Sequence, residues 1–69
     1  MYMDSHDFLQ MKLAMGHRLK RDFLLKECDW TQVADVPVDK AAWATYRQAL
    51  RDIPVQSGFP LEVIWPTQP

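Results

Sequence analysis

From residue 4 to residue 26 the chain has no proline, and its large apolar residues recur every three or four positions. Placed on a helix, Phe8, Met11, Met15, Leu19 and Phe23 form one stripe, with Leu9, Leu13 and Leu24 in a second row beside it. Gly16 falls between the rows. A glycine in mid-helix costs about 1 kcal/mol against alanine, so it marks a break or a place where another helix backbone comes close. The pattern predicts one long helix over about 5–26, capped by Asp4 or Ser5, with Asp7 near the positive end of the helix dipole.

Residues 28–38 read as a connector, because Asp29-Trp30-Thr31 and Asp35-Val36-Pro37 are turn-forming rather than periodic. A tryptophan in so polar a segment is expected to pin the connector onto the helices. A second helix is predicted over about 40–52, with Asp39 as its cap and Pro54 beyond its end. Ala42, Trp43, Tyr46, Ala49, Leu50 and Ile53 share one arc of it, and small alanines beside large aromatics make helix one against helix two the simplest core. After Gly58 the period changes to two. Phe59, Leu61, Val63 and Trp65 alternate with Pro60, Glu62, Ile64 and Pro66, which describes an extended segment or short edge strand over about 59–65. Such a strand must lie across the helices or pair with a partner's sheet. The expected fold is mainly α: a two-helix hairpin, an ordered connector and this extended tail.

Sixty-nine residues make one small domain with a marginal core of its own. Against that, 48% of the residues are hydrophobic, with three Trp, two Tyr and three Phe, so a partner is expected to finish part of the burial. A net charge of −1 argues against a dedicated nucleic-acid binder. The single cysteine, Cys28, excludes an internal disulfide. No signal-like N-terminus and no membrane-length apolar run are present, which points to a soluble protein of a reducing cytoplasm.

From Arg21 the motifs become specific. Arg21-Asp22-Phe23-Leu24-Leu25, Asp29-Trp30-Thr31-Gln32, Ala42-Trp43, Tyr46 to Pro54 (Tyr-Arg-Gln-Ala-Leu-Arg-Asp-Ile-Pro), Gly58-Phe59-Pro60 and Val63-Ile64-Trp65-Pro66 follow in order. This series closely resembles the phage tail assembly chaperone family, whose domain also ends many tail-fibre assembly proteins. The resemblance covers residues 21–69 and leaves 1–20 as an unmatched helical extension. Three departures stand out: Cys28 where serine is usual, Val33-Ala34 for Leu-Pro, and a shortened link over 37–41. The resemblance implies a non-enzymatic role in building the tail. The chain would bind a tail, baseplate or tail-fibre protein, either as a chaperone in the host cytoplasm or as a small subunit of the virion tail. A homo-oligomer within an assembly fits the same reading, and neither a cofactor nor a membrane is expected.

The residues themselves offer little other chemistry. His6, His17 and Cys28 have no metal-site spacing, and solvent-facing histidines are the simpler account. Cys28 lacks the base and orienting group that a nucleophile needs. The run His17-Arg18-Leu19-Lys20-Arg21 supports the alternative of a small DNA-binding or transcription-modulating phage protein, although a solvated face explains it equally. Arg47 and Arg51, one turn apart, are expected to clamp the connector through Asp29, Asp35 or Asp52, or else to bind carboxylates on a tail protein. The partner surface expected from sequence comprises Trp43, Tyr46, Arg47, Arg51, Phe59, Val63 and Trp65, with Met11 and Met15 on helix one as a second candidate.

Overall fold

The computed structural model describes residues 4–69, so the first three residues of the expected extension lie outside it. Helix α1 (Ser5–Glu27) begins at Asp4, whose carboxylate accepts the Asp7 N–H at 2.8 Å. That satisfies one of the donors left open at a helix start. Helix α2 (Lys40–Arg51) begins in the same way, with Asp39 accepting from the Ala42 N–H at 3.1 Å. Between them the connector is more ordered than a plain turn region, since Asp29–Gln32 forms a 3₁₀ turn. A second 3₁₀ turn, Ile53–Val55, follows α2 where Pro54 ends the helix. Among the described residues there is no strand.

The core forms where the C-terminal end of α1 meets α2. Cys28, Tyr46, Leu50 and Ile53 are buried, with Leu24, Leu25, Trp43, Phe59, Val63 and Trp65 packed around them. The arc expected of helix two therefore faces inward. Helix α1 behaves differently. At about 100° per residue, its core-facing side (His17, Arg21, Leu24, Leu25) lies roughly opposite the Phe8–Met11–Met15–Leu19–Phe23 stripe. All five stripe residues are exposed, as is Leu9. A 23-residue helix is about 34 Å long, while α2 has 12 residues and reaches only its C-terminal part. The molecule measures 52 × 18 × 15 Å with a radius of gyration of 15.0 Å, against about 11 Å for a compact chain of this length. The N-terminal half of α1 projects from the body.

The tail lies across the helices, and its two-residue alternation starts later than the sequence predicts. Residues 57–61 turn, with the Glu62 N–H donating to the Gly58 carbonyl at 2.7 Å. A Cβ on Gly58 would stand 2.9 Å from the Glu62 Cβ, so this turn needs glycine for close approach. Leu61, caught in the turn, points to solvent instead of joining the inner face. Val63 and Trp65 pack on the core and Ile64 faces out. Gln56 supplies the missing strand neighbour. Its side-chain amide donates to the Ile64 carbonyl at 2.8 Å and accepts the Ile64 N–H at 2.9 Å, the pairing a neighbouring strand would make.

Candidate functional site

The residues expected to bind a partner fall into two groups. Tyr46 is buried, and Trp43, Phe59, Val63 and Trp65 are half-buried against the core, so these five act first in the chain's own packing. Arg47 does as well. Its guanidinium donates to the Leu25 carbonyl at 2.9 Å and to the Cys28 sulfur at 3.2 Å, and it pairs with Asp29 at 2.8 Å. Of the three carboxylates considered for the clamp, Asp29 is the one used. The Leu25 carbonyl is one of the acceptors left open at the C-terminus of α1, so Arg47 caps that helix from α2. Burial opposes the charge on Arg47, but the hydrogen bonds and charges of Cys28 and Asp29 outweigh it and raise its pKa above the ordinary value. Arg51 is exposed and has no ion pair among the described residues.

Trp30 meets the helices as expected but is not covered by them. Its ring lies 6.2 Å from that of Trp43, yet 51% of it remains exposed. Trp43 in turn meets Tyr46 edge-on at 5.7 Å. A ladder of three aromatics thus runs from the surface to the core, with exposed Val33 beside its outer end in sequence.

The basic run is not simply a solvated face. The His17 ring hydrogen-bonds the Pro60 carbonyl at 3.0 Å and lies 6.0 Å from both the Phe59 and Trp65 rings, so it is half-buried rather than solvent-facing. Arg18 stands 5.6 Å from the Phe59 ring centre, and Lys20 places its ammonium 4.2 Å from that of Trp65. Arg21 pairs with Asp22 at 2.9 Å. Three of the four basic residues therefore hold the tail, through contacts of the cation–π and hydrogen-bond kind. Their spacing on α1 gave no hint of this, because the partner residues lie about forty positions away.

Among the described residues, Cys28 and the two histidines stay apart. Cys28 is buried, donating to the Leu25 carbonyl at 3.5 Å, and neither histidine lies among its hydrogen-bond partners. Among the described residues, no three His, Cys, Asp or Glu side chains converge as metal ligands, and no helix is long and apolar enough to cross a membrane. The groove between Gln56–Gly58 and Glu62–Ile64 is open, and the Gln56–Ile64 pair occupies part of its polar lining.

The profile of the family described as phage tail assembly chaperone protein matches residues 14–69. The chain belongs to the phage tail assembly chaperone family. The match starts seven residues before the motif series at Arg21, taking in the part of α1 that carries His17, Arg18 and Lys20. Those are the residues that hold the Gly-Phe-Pro and Trp-Pro motifs in place in this chain. No curated protein and no solved structure matches the chain significantly.

Proposed function

We propose that this protein is a non-enzymatic phage tail assembly protein that docks a tail, baseplate or fibre protein on the outer end of its aromatic ladder. Membership of the tail assembly chaperone family supports the general role. The observation that carries the surface is Trp30, half exposed on a segment that the helices hold rigid. Tryptophan and arginine dominate the energy of protein interfaces, most of all where a rigid scaffold presents them. Exposed Val33 and the unpaired Arg51 extend the chemistry on offer. The fitting partner presents an apolar pocket for Trp30 and a carboxylate for Arg51. Phe59, Val63 and Trp65 serve this surface indirectly, by fixing the tail and α2.

Deleting the gene from its phage tests the role. The expected result is particles or lysates with incomplete tails or fibres, restored by wild type supplied in trans. Normal particles without the gene would refute it. The copy number of the chain in purified virions, read by mass spectrometry, separates the two forms of the proposal. A fixed number identifies a tail subunit, and absence identifies a transient chaperone.

A further inference from the structure

We propose that the projecting face of α1 is a self-association surface on which two copies of the chain pair antiparallel about Met15. Five large apolar side chains there, Phe8, Met11, Met15, Leu19 and Phe23, are between 44% and 68% exposed, on the side of α1 away from the core. Among the described residues, α2 and the tail pack on the other side and leave these side chains uncovered. Each exposes on the order of 100 Å², so a symmetric pair covers about 1,000 Å², the size at which a specific interface begins.

The order of the residues selects a second copy as the occupant. Met11 and Leu19 stand four positions to either side of Met15, and Phe8 and Phe23 stand seven and eight. The stripe therefore reads almost the same in both directions. A two-fold axis at Met15 brings Met15 onto Met15, Met11 onto Leu19 and Phe8 onto Phe23, which is the self-complementarity that a two-fold interface requires. Antiparallel pairing also sets Asp4 at one helix start near Lys26 at the other helix end and opposes the helix dipoles, whereas parallel pairing aligns the dipoles and stacks like charges. Two charged residues share the stripe: Asp22 is held by Arg21, and Lys12 lies over the Phe8 ring with its ammonium 5.8 Å from the centre. Gly16 is a further sign. A Cβ there would meet nothing within 4 Å, so no packing inside the chain calls for a glycine beside the centre of the stripe. A second backbone passing close by would. Finally, Phe8 and Met11 precede the family match, so the face extends beyond the matched residues.

The test is sedimentation of the full chain from micromolar to millimolar concentration, beside a Met15→Glu, Leu19→Glu double variant. Both positions are exposed, so the variant keeps the monomer fold, which circular dichroism and burial of the Cys28 thiol verify. The wild type should approach twice the monomer mass, with association weakened at least tenfold in the variant. Cross-linking with a short bis-maleimide fixes the geometry. Met15→Cys should link to itself, and Phe8→Cys should link to Phe23→Cys but not to another Phe8→Cys, which antiparallel pairing holds about 22 Å away. A monomer throughout the range, a dimer indifferent to the double variant, or Phe8→Cys linking to itself would each overturn the proposal. So would a tail protein, rather than a second copy, protecting Met15→Cys.

Discussion

Lys20 holds its ammonium 4.2 Å from the centre of the Trp65 ring, joining the middle of α1 to the last motif of the tail. With His17 on the Pro60 carbonyl and Arg18 beside Phe59, it makes α1 the bed on which the tail lies. The tail in turn packs Val63 and Trp65 against the core. The tail is thus part of the folded body, held there by two cations and an imidazole ring.

Replacing Lys20 with Met keeps the apolar stem and removes the charge. The expected loss is about 0.5–1 kcal/mol, the usual value of a cation–π contact at a partly exposed site. It should appear as a lower midpoint of urea unfolding with an unchanged slope, and as faster hydrogen exchange at Val63 and Trp65. An unchanged exchange pattern would mean that the contact holds nothing.

Arg47 and Asp29 should respond unequally although they form one ion pair. Asp29 is 65% exposed at its side chain, so Asp29→Asn should cost less than about 1 kcal/mol. Arg47→Ala also removes a donor to the Leu25 carbonyl and to Cys28 and should cost about 2–3 kcal/mol. The raised pKa of Arg47 gives the pH signature. A group whose pKa is raised on folding contributes its stability below the unfolded value and loses it only as pH climbs through the folded one. For arginine that window lies above the ordinary value, so the gap between wild type and Arg47→Ala should stay flat from about pH 6 to about pH 9.

The two glycines should shift stability in opposite directions when changed to alanine. At Gly16 the added methyl finds open space, so Gly16→Ala should raise the stability of the monomer by up to about 1 kcal/mol, or about 4–8 °C in Tm for a domain of this size. At Gly58 the methyl collides with the Glu62 backbone and Cβ, and Gly58→Ala should cost about 1–3 kcal/mol. Thermal melts at dilute concentration check both.

Cys28 is 2% exposed. A thiol reagent should therefore modify the native chain only as fast as it opens, and should titrate one thiol immediately in denaturant. Rapid labelling without denaturant would contradict the core described above.

Much of this was legible in the chain. Asp4 and Asp39 marked the helix starts, Pro54 marked the end of α2, and the Ala42–Ile53 arc named the face that α2 buries. Local chemistry decides such features, so a local reading finds them. The α1 stripe was equally regular but faces solvent, because periodicity shows that a helix has an apolar face and not which face the rest of the chain covers. The tail shows the other limit. Its pairing comes from the Gln56 side chain and its bed from His17 and Lys20, contacts that depend on the turn at Gly58. Likewise Arg47 and Tyr46 carried interface chemistry in their residue types, and the fold uses them to cap α1 and fill the core.

The most direct test of the proposed docking is capture of a tail protein by the tagged full chain from phage-infected cells, wild type beside Trp30→Ala. Trp30 is the informative position because it is half exposed, whereas truncating Trp65 would loosen the fold itself. Wild type should co-purify a tail, baseplate or fibre protein of the same phage, identified by mass spectrometry, and Trp30→Ala should retain its fold and lose capture by tenfold or more. Equal capture by Trp30→Ala, or no tail protein bound to either, would contradict the account.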